Sequence, residues 1–454
     1  MGTYYNVKEF GALGNGREND QQAIQRAIDL CHERGGGTVL LEGGVYRSGT
    51  LYLKSNVYLE VDVSARLEAW GDIECYGEDT HYNRYRNEPE LDRCWIYAQD
   101  AENIGITGYG ELNGRAELFP CEGSIYRPMM IRFLRCRRVH ISNIRLMNSP
   151  SWTTAFLDSE YIWIHGVQIE NEKRYNGDGL DFDGSRHLYI SDCRIQGTDD
   201  NLCLQAGNPA YPVEDVHITN CSFSSVCAGI RIGLKSIGRI SGVVISNCTM
   251  HNVWREGIKI ECTEGGSISD ITVSNVTMRN VRRPVFVLLN NRFLPEDLGN
   301  SVELTEIPEI GELKGIILRS LIITDDEEME KTHRRFEDDV MGAPYFGGIR
   351  FDAEESHPVE NVILQDIIYT GIGGVKKEDI PKEYPRVLDQ KKDTRQEVSG
   401  NYYPDWSRAA FMDLRNVDNL LLENILLKLI HEDEREKVLL EGCTLLKEAG
   451  ITIL

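Results

Sequence analysis

Three aspartates carry the most specific chemical signal in the chain. Asp178 lies in NGDGLDFDG and stands 21 residues before Asp199-Asp200 in GTDDNLCLQAG. Carboxylates gathered on one surface suit a bond whose cleavage needs both a proton and a water. Glycoside hydrolysis has that requirement: one protonated carboxyl serves the leaving oxygen, and an ionised one acts as nucleophile or activates water. Crowding supplies both states, because like charges raise one pKa and the protons leave in coupled steps. Taken alone, DxD and DD in a turn-rich acidic chain also fit turn caps, solvated acids or calcium ligands.

The elements that must position these acids are repeats. VHISNI at Ile141, IWIHGV at Ile164, YISDC at Ile190, HITNC at Ile218, VISNC at Ile245 and TVSNV at Val273 align at steps of 23–28 residues. Weaker copies follow near Ile323, Leu364 and Leu422. Short alternating strands at this period, with almost no helix and no leucine-rich pattern, predict an all-β parallel solenoid. Asn143, Asp192, Asn220, Asn247 and Asn275 share one phase and suit left-handed turns. Ile144, Val167, Cys193, Cys221, Cys248 and Val276 share the next and should point inward, so these cysteines read as core rather than disulfide or metal ligands. Coils lie about 4.7–4.9 Å apart in such a stack. One cleft face is then expected to carry Asp178, Asp199 and Asp200, then Arg231 and Lys235, then Lys259 and Glu261. Strict alternation would send Asp199 and Asp200 to opposite faces, so the chain must bend there. The spacing leaves open whether the carboxyls sit at the retaining separation of about 5 Å or the inverting one of about 6.5–9.5 Å.

Residues 19–34 predict one amphipathic helix, capped by Asn19 or Asp20 and stopped by Gly35-Gly36-Gly37. The expected layout is a single β-helix domain over 1–454. Residues 1–50 form the N-terminal cap and first coil, 51–430 the coils, and 431–454 a C-terminal cap. Charged stretches at 325–347 and 375–405 read either as solvated loops or as walls closing one end of a cleft. The net charge is −23 and the pI about 4.9, which argues against nucleic acid. No apolar signal region opens the sequence, and no run of about 18 apolar residues suggests a membrane span. Twelve cysteines without CxxC spacing read as reduced thiols of a cytoplasmic protein with no metal or other cofactor. His140, His187 and His217 are expected on the outer surface, while His165 and His251 lie near turns within reach of a cleft. Flat solenoid flanks are compatible with a homo-oligomer.

The sequence also resembles glycoside hydrolase family 28, the polygalacturonase and rhamnogalacturonase family, over most of its length. The opening FGALGNGRENDQQAIQRAIDLCHERGGGTVLLEGGVYRSGTLYLKSNVYLEV is similar to that family's first segment. NSPSW at 148–152 resembles its NSP-x-W run, NGDGLD at 176–181 its NTDG-x-D motif, and GTDDNLCLQAG its G-D-D-C-I-A-I-x-S-G run; HPVENVILQDI at 357–367 fits a later coil. The resemblance implies a pectin-lyase-like, right-handed single-stranded parallel β-helix and inverting hydrolysis. Asp199 would be the general acid, Asp178 and Asp200 would hold and activate the water, and Asn176 and Asp181 would support substrate binding. Three positions depart from the family pattern. Cys227-Ala228-Gly229 replaces GHG, Lys259-Ile260-Glu261 replaces RIK, and Gly177 stands inside NTD. The family's Arg-Lys pair normally binds the galacturonate carboxylate, and Glu261 would repel it. Arg231 and Lys235 would restore positive charge, or the subsite would take a neutral sugar; rhamnogalacturonan-cleaving branches also lack the histidine.

These features predict an exo-acting hydrolase of pectin-derived oligosaccharides containing galacturonate or rhamnose. Two rivals remain at this point. One is a β-helix uronate lyase or epimerase, marked by a calcium site and an Arg or Lys base. The other is a carbohydrate-binding solenoid without turnover.

Overall fold

The structure is a computed structural model that describes residues 3–80, 93–120, 126–293, 306–327, 347–379 and 407–454. Of the two charged stretches, 328–346 and 380–405 lie outside the described residues. The chain divides into two compact units: Met1–Leu202 with Val213–Cys221, and Cys203–Pro212 with Ser222–Leu298 and Leu304–Leu454. No helix among the described residues is long and apolar enough to cross a membrane.

In the first unit each coil contributes three strands, and like strands of successive coils pair in parallel. Met129–Leu134, Thr154–Leu157 and Leu180–Asp183 form one such series, with Arg132, Ala155 and Asp181 in register. Ile141, Ile164, Ile190 and Ile218 are successive partners in another series, as the sequence alignment predicts. The third strand of each coil, such as Gln168–Glu170 or Arg194–Gly197, is too short for its own periodic signal. Asn143, Asp192 and Asn220 sit at φ 57, 58 and 56, confirming the left-handed turn. Asn and Asp bear that conformation at low cost because their side chains bond locally. The helix spans Gln21–Glu33 and buries Ala23, Ile24, Ala27, Ile28 and Cys31. Asn19 caps it, accepting the Gln21 N–H at 2.9 Å, while Asp20 instead accepts the Leu13 N–H at 2.7 Å.

In the second unit the strands run through the bends, as in Arg239–Cys262 and Ser267–Leu289. Ile245, Val273, Leu318, Leu364 and Leu422 are in register. The copy expected near Ile323 is therefore displaced: Leu318 holds that rung, and Ile323 pairs with Met278 and Tyr369 beyond the bend. The strand Glu312–Thr324 carries two apolar columns separated by Ser320 at φ 54, and either fits the repeat. The tail adds Glu436–Glu441 and Ile451–Ile453 as strands on the preceding coil. All eleven described cysteines are free thiols, and Cys193, Cys221 and Cys248 are buried in the core.

One core column of this unit is interrupted by a polar pair. Tyr369 stands between Ile323 and Leu427, accepts the Gly348 N–H at 3.1 Å and donates to Asp325 at 3.4 Å. Burial pushes the Asp325 carboxyl up to about 8, with Asp326 adding repulsion. The folded chain thus keeps a proton that the unfolded chain sheds above 3.8. Stability from this group is full below that value and is lost as pH rises toward about 8. Replacing Asp325 with Asn should therefore raise the melting temperature relative to wild type at pH 8, with the gain vanishing near pH 4. Thermal scans at both values check this; an equal shift at both would contradict it.

Candidate active site

The NGDGLD segment is held from three sides within the first unit. Asn171 is buried and ties two turns together. Its Oδ1 accepts the Ser149 N–H at 2.8 Å, and its Nδ2 donates to Thr153 Oγ1 at 2.6 Å and to the Asp178 carbonyl at 3.3 Å. Thr198 Oγ1 accepts the Gly177 N–H at 3.0 Å and donates to the Arg174 carbonyl. A Cβ on residue 177 would lie 2.5 Å from that hydroxyl oxygen and 2.9 Å from Asn171 Cβ. The close approach explains why glycine stands here. From the third side Arg127, fully buried, donates to the Pro150 carbonyl at 2.8 Å, to Asn176 Oδ1 at 3.1 Å and to the Tyr175 carbonyl.

Coil pairing then brings the DD turn alongside. Gly179 N–H donates to the Asp200 carbonyl at 3.0 Å, and Leu180 N–H to Asn201 at 2.9 Å. The required bend is present, since 198–201 is a turn between strands. Carboxylate oxygens of Asp178 and Asp200 lie within 4.8 Å of one another, as do those of Asp199 and Asp200. Exposure separates the three: Asp178 and Asp200 are 5% and 2% exposed, whereas Asp199 is half-buried. Asp178 Oδ1 is buried with no hydrogen-bond partner among the described residues. Burial, followed by the charges of Asp199, Asp181 and Asp200, holds the Asp178 carboxyl well above the usual carboxylate range. Its titration belongs to the cluster rather than to one residue. Oxygen donors this close are also the hard ligand type that a divalent cation accepts.

The second unit carries the predicted cations. Arg231 and Lys259 are register partners, as are Gly233 and Glu261. Glu261 is fully buried, accepts Arg231 Nε at 2.8 Å and faces Lys259 Nζ at 3.8 Å. Lys259 also reaches Glu256 at 3.4 Å, and Arg283 pairs with Glu256 at 3.0 Å. Glu261 is therefore a neutralised member of a buried network rather than a free negative charge. The charge of Lys235 acts on Glu264, which also bonds Arg292 and the Ser236 N–H.

Sequence reasoning missed Arg127, Asn171, Glu256 and Arg283, because none belongs to a repeated column or a motif it used. Among the described residues, His140, His165, His187 and His217 are each at least partly exposed. His140 stacks on Trp163 at 4.6 Å, and His187 and His217 both bond Asp215. His165 bonds Ser191 at 2.9 Å and faces Asp192 at 3.3 Å, at the left-handed turn.

The family model of glycosyl hydrolases family 28 matches residues 48–306, and the chain belongs to that family. An Arabidopsis thaliana protein described as a "probable polygalacturonase" is 25% identical over 251 residues, covering 53% of this chain and 51% of that protein. The chain thus spans about half the length of the curated relative it matches. Among solved structures, a Thermotoga maritima exopolygalacturonase aligns over 97% of this chain and 92% of its own, with TM-score 0.63 and 21% identity. A Yersinia enterocolitica family 28 exopolygalacturonase aligns over 99% and 79%, with TM-score 0.74 and 16% identity. The shared fold is the right-handed parallel β-helix.

Removing the central anion of the second unit's network should be costly. Replacing Glu261 with Ala leaves Arg231 and Lys259 facing each other in a dry site, so urea unfolding should show a loss of about 3–5 kcal/mol. Unchanged stability would mean that the network is not buried in solution.

Proposed function

We propose that this protein is an inverting glycosidase that acts on the ends of pectin-derived oligosaccharides containing galacturonate or rhamnose. One observation carries the reading: a half-exposed carboxyl, Asp199, beside two buried ones, Asp178 and Asp200. Asp199 is the member of this trio most open to touch a glycosidic oxygen, so it donates the proton as the bond to the anomeric carbon breaks. Asp178 and Asp200 hold one water between them. That water attacks the anomeric carbon and gives its proton to an ionised carboxylate of the pair. Oxygens of the acid Asp199 and the base Asp200 lie within 4.8 Å, closer than the about 6.5–9.5 Å usual for inverting enzymes, so the water sits on Asp178 and Asp200 rather than in the line between acid and base.

The departure at Glu261 does not exclude an acidic sugar, since Arg231 and Lys259 neutralise that carboxylate. A net charge of −23 disfavours long polyanions and favours short fragments. Exo action is in keeping with two similar structures being exopolygalacturonases. Free thiols support a reducing, cytoplasmic setting, where oligosaccharides rather than polymers are at hand.

The test is turnover of saturated and unsaturated pectic oligosaccharides by wild type and Asp199→Asn, with proton NMR following the first anomer released. The expected result is release of terminal sugars with inverted configuration, reduced about 100- to 10,000-fold in the variant. Retained configuration, mid-chain cleavage as the main activity, a chelator-sensitive unsaturated product, or binding without turnover would each overturn the reading.

A further inference from the structure

We infer that Arg127 is a positioning residue that sets the direction in which Asn176 presents its amide to substrate and holds the turn carrying Asp178 in place. A guanidinium only donates, so the oxygen of any amide facing it must be the accepting end. Asn176 Oδ1 accepts from Arg127 at 3.1 Å, which turns Nδ2 to the other side of the planar group. Asn176 is half-buried, and its Nδ2 has no partner among the described residues. The end turned away from Arg127 is thus a pure donor two residues before Asp178, suited to a hydroxyl or carboxylate oxygen of a sugar. Asn176 adopts φ 56, and Arg127 binds the Tyr175 carbonyl just before it. The third acceptor, Pro150, belongs to a separate turn, so one buried side chain locks two turns at once. Asn171 and Thr198 grip the main chain of this segment, but among the described residues only Arg127 bonds the Asn176 side chain. The substrate part of this inference rests on the hydrolase reading above.

Full-length Arg127→Ala, Arg127→Lys and Asn176→Asp separate the roles, with trigalacturonate as probe. Arg127→Ala should lower kcat about 100-fold with a smaller change in KM, as displacement of a reacting group by about 1 Å does. Added methylguanidinium should restore part of the rate, and Arg127→Lys should fall between wild type and Arg127→Ala. Asn176→Asp keeps the Arg127 contact and removes the donor, so KM should rise while the melting temperature holds. Unchanged kinetics in folded Arg127→Ala, or a loss that follows its unfolded fraction without rescue, would overturn the inference. A readout independent of turnover is the carboxyl carbon NMR titration of Asp178. A midpoint that moves between wild type and Arg127→Ala supports positioning, and coincident midpoints refute it. A wild type inactive on every pectic oligosaccharide, with that midpoint moving, would sink the hydrolase reading and leave the positioning of the Asp178 turn standing.

Discussion

Burial of mutually repelling aspartates is the constraint on which the site depends. Asp178, Asp181, Asp199 and Asp200 are held by parallel coil pairing that fixes their main chains before any substrate arrives. In water these carboxyls would all ionise and separate. Here Asp178 and Asp200 are walled in, so the cluster lowers its energy by keeping a proton. Asn171, Thr198 and Arg127 are what resist that repulsion locally, through hydrogen bonds to the main chain on either side of Asp178.

The second unit meets the opposite difficulty with different means. Its outward rows carry Arg231, Lys259 and Arg283 almost fully buried, and they persist because Glu256 and Glu261 lie among them. A buried ion pair is seldom a net source of stability against apolar residues of similar size, but breaking one is expensive. Such a network suits a surface whose charge pattern must stay fixed. Glu261, an apparent obstacle to an acidic sugar, is spent on neutralising its neighbours.

Much of this was legible from the repeat. Ile141, Ile164, Ile190 and Ile218 align in sequence and stack in space, because a coil that shifts by one residue would turn its apolar column outward. Asn143 and its counterparts announce their left-handed turns for a similar reason. The bend at 198–201 follows from needing both acids on one side. Less was legible where two patterns compete or none exists. Leu318 and Ile323 both satisfy the apolar spacing, and the register chose the first. Arg127 precedes its partners Tyr175 and Asn176 by nearly fifty residues and repeats nowhere, so only the fold shows what it does. Glu261 reads as a charge in sequence and as half of a pair in space.

Burial and the neighbouring acids raise the Asp178 carboxyl above its unfolded value. The most direct measurement compares urea unfolding of wild type and Asp178→Asn from pH 4 to pH 8. A carboxyl raised in the folded state contributes stability below its unfolded value of about 4 and loses it as pH rises. Wild type is expected to fall progressively below the variant across this range. Parallel curves, or a wild type that gains on the variant as pH rises, would contradict it.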